Sequence, residues 1–269
     1  MNILAGGFAL RQRLRAFSTV FDLLDDIEYR AIETPDDLDD VFRLRYRAYR
    51  ARNYMEPRGD GQCHDELDEE ANTRIFGVYQ AGRLIASIRI HLLERPEHKS
   101  ASMRVFPEVL LPHLAQGRRF IDSSRFAIDP DLDAGNGHLH YITMRLSVLA
   151  CVHHRVDYSL SLVRPTHGAF YRRYFGFEQW AEGRTFPGLT FPVNLYSADI
   201  AAVHDHVLDR LPFLNSLPAE QRLLFDREAG KRSCYSVRST ARLAVAAIER
   251  RRAAGTALGI AVGEVAAFA

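Results

Sequence analysis

Cysteine is scarce in this chain: Cys63, Cys151 and Cys234 are the only three in 269 residues, and they lie far apart. No pair has a recognisable spacing, which excludes a disulfide scaffold and points to a reducing compartment. The run Cys63-His64-Asp65 has no second Cys/His pair at a zinc-site distance, so no metal site is read. The pairs His138/His140 and His153-His154 read as helix residues. Long apolar runs are missing too. The stretch at residues 3–10 is short and no small-residue cleavage pattern follows it, so no secretory signal is read. The apolar tail, residues 253–269, contains Glu264 and falls short of the roughly 20 residues a bilayer span needs. These absences predict a soluble cytoplasmic protein, with its two ends as the places for peripheral contact with a membrane or a neighbouring subunit. There is no internal repeat, and no low-complexity stretch apart from the Ala/Gly-rich tail.

What is present is arginine. The net charge is only +1, but arginine supplies almost all the positive charge and clusters at residues 11–15, 43–58, 118–119 and 172–173. Such clusters favour an anionic partner, the alternative being solvated helix faces. They are scattered over several elements without a nucleic-acid motif, so nucleic acid is not that partner.

Apolar residues make up 47% of the chain, enough for one substantial core plus an appendage. Residues 1–26 read as an amphipathic N-terminal helix, 27–198 as the main domain and 199–269 as a helical C-terminal extension. Thr34-Pro35-Asp36-Asp37 is a helix start, with Thr34 as N-cap and Pro35 at the first helical position. That helix runs through Val41, Leu44, Arg45 and Ala48. Residues 51–70 have no clear period and read as a long loop, which is uncommon without a functional reason. Strands are predicted at 73–80 and 84–92, joined at Ala81-Gly82, and again at 119–128, 158–163 and 191–196. Helices are predicted at 106–115, 138–155 and 165–175, then at 202–211, 218–228 and 237–252. The alternation implies a mixed α/β layered structure.

Chemistry enters with the order of the second half: strand, Gly-containing loop, helix, strand, then a helix ending Ala169-Phe170-Tyr171-Arg172-Arg173-Tyr174-Phe175-Gly176-Phe177-Glu178. Tyr171 and Phe175 share a helix face, and Gly176 supplies the C-terminal turn. This order resembles the GCN5-related N-acyltransferase fold, with a mixed central sheet. The first half narrows the resemblance. Leu44-Arg45-Tyr46-Arg47-Ala48-Tyr49, then Asp65 and Asp68, then Arg89, then Asp122-Ser123-Ser124-Arg125-Phe126, is similar to the acyl-homoserine-lactone synthases and the related N-acyl amino acid synthases.

The resemblance implies roles. Arg45, Asp65 and Asp68 fix the amine-acceptor side, with Tyr49 completing the contact from helix to loop. Arg89 and Arg125 complete the charge network, and Asp122 takes the place of the catalytic carboxylate. Alternatively these charges are buried ion pairs that hold a loop down. The loop before the central helix, Ala134, Gly135, Asn136, Gly137 and His138, belongs to the donor's phosphopantetheine, with Tyr171 on the same side. Two features depart from the pattern: Asp122 stands where the family usually has Glu, and the only tryptophan is Trp180, whereas the lactone synthases carry one after the first helix.

The implied reaction is attack of an amine on a thioester carbonyl. Asp122 is the candidate base through a water, with a backbone N–H between Ser123 and Phe126, at Ser124 for instance, as oxyanion donor. Residues three apart on a regular strand face opposite ways, so Asp122 and Arg125 share a site only across a bulge, expected at Ser123-Ser124. Thr166 and His167 open the last helix beside the presumed acyl thioester, Thr166 as acyl-chain contact or helix cap and His167 as alternative base. No permanent cofactor is implied. The co-substrate is an acyl thioester of 4'-phosphopantetheine, on acyl carrier protein or CoA, and Arg164, Arg172 and Arg173 flank its entrance. The expected activity is transfer of a long acyl chain to an amino acid or similar small amine. The alternatives are a lactone synthase using S-adenosylmethionine and a non-catalytic acyl-binding module.

Overall fold

A computed structural model describes residues 14–133, 137–226 and 235–257. The N-terminal helix α1 (Ser18–Asp25) turns Val20, Phe21 and Leu24 into the core. After β1 (Ile27–Ala31), helix α2 (Pro35–Ala51) starts as its sequence dictates: the Thr34 side chain accepts from Asp37 N at 3.2 Å and Pro35 occupies the first turn. Strands β2 (Thr73–Gln80) and β3 (Arg83–Leu93) form a hairpin across Ala81 and Gly82, both at positive φ (49° and 78°). Glycine takes that conformation without strain, and the alanine is held in it by the turn.

One helix was expected at 106–115; two form, α3 (Ala101–Val105) and α4 (Pro107–Ala115), broken at Phe106, whose ψ of 49° leaves the helical region. Strand β4 (Phe120–Ile128), the short α5 (Pro130–Asp133), the central helix α6 (His138–His154) and β5 (Tyr158–Val163) follow. Next come α7 (Gly168–Phe175), β6 (Glu178–Thr185) and β7 (Pro192–Asp199). The chain ends in α8 (Ile200–Arg210), α9 (Pro218–Phe225), β8 (Val237–Arg238) and α10 (Ala241–Ala257). Two of these strands escape the sequence reading. β6 is an edge strand with most side chains exposed and two register shifts, so it shows no alternation. Residues 237–238, read as helix, instead pair with β1, and the helix starts four residues later.

The eight strands form one sheet in the order β6-β7-β5-β4-β3-β2-β1-β8, with β4 and β5 parallel and the other pairs antiparallel. Helix α6 lies on one face, buried on nearly all sides between the sheet and the C-terminal helices. Phe213, Leu224 and Phe225 of the extension share its core, and Phe225 meets Phe76 of β2 edge to face at 5.4 Å. The other face carries a second core of Leu67, Phe106, Leu110, Phe120, Phe186 and Leu195.

Two irregularities of β4 make the site. Between Ser87↔Ala127 and Arg89↔Ser124, two β4 residues, Arg125 and Phe126, oppose the single Ile88, and Arg125 has φ 51°. This bulge lies just after the Ser123-Ser124 pair where it was expected. It turns the Arg125 side chain to the face already used by Asp122 and Ser124. Pairing with β5 covers only Phe120–Ser123, so beyond Ser123 the two parallel strands have no ladder between them.

Candidate active site

The bulge, the third turn of α2 and the loop after it bring together every charged residue expected on the acceptor side. Arg45, fully buried on α2, donates from Nη1 to Asp68 at 2.8 Å. Arg89 of β3, also fully buried, reaches Asp65 at 2.5 Å and Asp68 at 3.1 Å through Nη1, while its Nε donates to Ser124 Oγ at 3.1 Å. Arg125 pairs with the other oxygen of Asp65 and donates to Cys63 Sγ at 3.6 Å. The loop holds its carboxylates by local bonds: Asp65 N donates to Asp68 at 3.0 Å, and Leu67 N donates to Asp65 at 3.1 Å. Burial opposes ionisation of Asp65, but Arg125 and Arg89 outweigh it and hold the carboxyl far below the usual range. Asp68 is held down in the same way by Arg45 and Arg89, again against burial.

Arg45, Arg89 and Arg125 thus face Asp65 and Asp68 in one buried network, and Arg89 also acts on the Asp122 carboxyl nearby. Among the described residues, Nη2 of Arg89 and Nε of Arg125 are buried without a hydrogen-bond partner. Both arginines line a cavity of about 500 Å³ that opens where β4 and β5 part. Its walls are otherwise mainly apolar and aromatic: Tyr49 of α2, Phe126 of the bulge, Tyr141 and Met144 of α6, Phe170 and Tyr171 of α7, and Phe186 and Phe191 between β6 and β7. A volume of this size is that of a small-molecule site. Tyr49 and Phe186 also take the Arg125 guanidinium over their rings, at 6.0 and 5.6 Å.

Of the remaining expected residues, Ser124, Thr166, His167, Tyr171 and Gly137 line the cavity and His138 does not. Thr166 does not serve as a cap, since neither turn at this point has a side-chain cap. Ala134, Gly135 and Asn136 lie outside the described residues. Arg164 borders the mouth with its guanidinium over Tyr54 and Phe191, at 5.5 and 5.3 Å. Arg172 and Arg173, expected beside it, are exposed on α7 against Tyr196 and Tyr174.

Asp122 needs a correction. It lies on the face of the charge network, opposite His91, but its carboxyl is fully buried and does not border the cavity. One oxygen accepts from Ser102 N at 2.8 Å and the other from Ser102 Oγ at 2.9 Å, which fixes the start of α3. Burial raises its pKa, against the bonds from Ser100 and Ser102.

His140 and His167 do border the cavity. Burial lowers both pKa values; Arg52 adds to the effect at His140, and Arg164, Arg52 and His140 add to it at His167. His140 stacks on Phe126 at 5.7 Å. Met144, Phe186 and Phe191 were not singled out in the sequence and His140 was read only as a helix residue, because each looks like an ordinary helix or loop residue; Phe126 entered only as part of the Asp122–Phe126 motif.

The family model described as N-acyl amino acid synthase FeeM matches residues 40–199. That segment holds the charge network, the bulge and the parting strands. None of the curated proteins compared matches the chain at the sequence level. Among solved structures, FeeM, an N-acyl amino acid synthase from uncultured soil microbes, superposes with a TM-score of 0.57 at 17% identity, over 69% of this chain and 97% of its own. The CoA-dependent acyl-homoserine lactone synthase BjaI gives 0.50 at 18% identity, over 68% and 89%. The chain is therefore an acyltransferase, and it belongs to the FeeM family of N-acyl amino acid synthases.

Proposed function

We propose that this enzyme transfers a long acyl chain from a phosphopantetheine thioester to the amino group of a free amino acid. The observation that carries this reading is that Arg89 and Arg125, held together by Asp65, bring their guanidinium groups to the wall of the cavity. An amino acid brings a carboxylate to such donors, and charge-assisted bonds of this kind are among the strong ones. S-adenosylmethionine brings a sulfonium cation that the same charge disfavours. The apolar remainder of the cavity suits an alkyl chain, and a mouth carrying Arg52, Arg164, His140 and His167 suits the phosphate of the pantetheine arm. Acyl carrier protein and CoA present that arm alike.

In the reaction the amine nitrogen forms a bond to the thioester carbonyl, the C–S bond breaks, and the amine proton leaves with the thiol. Asp65 and Asp68 are committed to arginines and Asp122 is sealed behind α3. The proton therefore passes to an imidazole of the cavity, neutral at physiological pH because burial and the neighbouring arginines lower its pKa. The oxyanion meets backbone N–H groups of β4 beyond Ser123, where no β5 ladder competes for them.

Incubation with acyl carrier protein and CoA thioesters and a mixture of amino acids, with and without S-adenosylmethionine, tests the acceptor by product mass. N-acyl amino acids are expected in both arms; a lactone appearing only with S-adenosylmethionine defeats the proposal. The pH profile of kcat/KM should rise through a midpoint below 6.5, the ordinary histidine value, and then level off. That limb should vanish in either His140→Gln or His167→Gln. If it survives in both, neither imidazole is the base.

Asp122→Asn separates a positioning role from the base role. With Asp122 as an anchor for α3, the amide should lower stability by about 1–3 kcal/mol, because one of its two acceptors is lost, and leave kcat within about tenfold. A fall of about 10³ in kcat at unchanged stability would return the base role to Asp122.

A further inference from the structure

A second, smaller cavity of about 50 Å³ adjoins the first through Met144 and is lined by α6, β5, α7, β7 and the first helix of the C-terminal extension. Three of these elements carry both cavities in line. Along α6, Tyr141 and Met144 border the first, and Met144, Ser147 and Cys151 border the second. Along β5, Ser161 borders the first and Ser159 the second, two residues apart and so on one face. On α7, Tyr171 borders the first and Phe175 the second, joined there by Phe177 just past the helix, and the rings of Tyr171 and Phe177 touch at 5.5 Å. Met144 belongs to both walls. A hydrogen bond of 2.8 Å between Ser123 Oγ, of a residue lining the first cavity, and Ser147 Oγ, of one lining the second, also joins the two walls.

We infer that the second cavity receives the terminal methylenes of the longest acyl donors, and that Met144 is the gate that sets acyl-chain length. Methionine suits this role, since its unbranched side chain changes rotamer at little cost and fills whichever side the chain leaves empty. The second cavity takes the end of a chain and no more. The C-terminal extension, which supplies Val203, Val207 and Leu208 to its far wall, thereby helps define substrate length. This inference rests on the acyl-transfer reading above.

The test is competition among straight-chain acyl thioesters lengthened one ethylene unit at a time, with one amino acid acceptor. Met144→Ala should move the preferred length upward and raise the kcat/KM ratio of the longest to the shortest accepted donor about tenfold, since each added buried methylene contributes about a factor of four. Val148→Phe and Val152→Phe, at partly buried positions of the second cavity, should lower the same ratio about tenfold and leave the shortest donor unaffected. Folding of each variant is checked by thermal melting, and either filling variant suffices if the other unfolds. An unchanged length profile in folded Met144→Ala and in a folded filling variant overturns the gate. Calorimetric binding of the matching free fatty acids is measured in parallel. If no thioester is turned over, acyl transfer falls on its own, and the binding series still decides whether the second cavity reads chain length.

Discussion

Arg89→Met is expected to lower kcat/KM for acyl transfer about 10³-fold, with the loss falling on the acceptor, and to lower stability by about 3–5 kcal/mol. Arg89 alone touches both carboxylates of the loop, at 2.5 and 3.1 Å, and also steadies Ser124 beside the bulge. Without it Arg125 is the one arginine left to Asp65 and Arg45 the one left to Asp68, so two buried carboxylates share less charge compensation. Arg89→Lys should recover the stability in part but little activity, because an ammonium cannot satisfy Asp65, Asp68 and Ser124 and still present a donor to the cavity. Steady-state kinetics with acceptor and donor varied separately, together with denaturant unfolding, measure the two parts. A variant whose acceptor KM and kcat are unchanged would show the network to be a loop fastener only.

The same network gives stability a pH dependence whose sign follows from its depressed carboxyls. Asp65 and Asp68 ionise at lower pH in the folded chain than in the unfolded one, where the value is about 3.9. Their contribution is present above that value and is lost as pH falls through the folded ones. Acid unfolding should therefore be less steep in Asp65→Asn, as denaturant titrations carried from neutral pH down to about pH 2 would show.

The second large effect concerns Arg145, on the same helix as Met144 but turned toward the extension. Its guanidinium and the Glu220 carboxylate are both fully buried and paired through two nitrogens. Nε and Nη2 also donate to the carbonyls of Phe213 and Asn215, at 2.9 and 2.8 Å. Glu220 in turn accepts from Thr240 N and Oγ1 at 2.8 and 2.7 Å, which ties the start of α10 to α9. Arg145→Met leaves the carboxylate buried and unpaired, and a loss of about 3–5 kcal/mol is expected. The double variant Arg145→Met, Glu220→Met should regain most of it, since two apolar side chains replace the pair without stranding a charge. Denaturant unfolding of both variants checks this; equal losses in the single and double variants would mean that packing, and not charge, is what Arg145 supplies.

Much of the fold was legible because its signals are local. Thr34-Pro35 specifies a helix start by a cap bond and a fixed φ, and β2, β3 and β5 announce themselves by short apolar runs between turns. Edge strand β6 was hidden because its exposed side chains have no buried face to impose a period. The members of the charge network were recognisable only as an ordered set, since an arginine on a helix and an aspartate in a loop carry no sign of each other.

The strand Phe120–Ile128 draws the line between the two kinds of information. The family resemblance suggested Asp122, Ser124 and Arg125 for one site, and strand geometry then required a bulge, because residues three apart do not otherwise share a face. Only the tertiary structure decided which of them borders the cavity. The bulge delivers Arg125 to Asp65 and the cavity wall, while α3 folds over Asp122 and takes both its oxygens. What packs over a carboxylate decides what it can reach, and in this chain Ser102, some twenty residues earlier, takes both oxygens of Asp122.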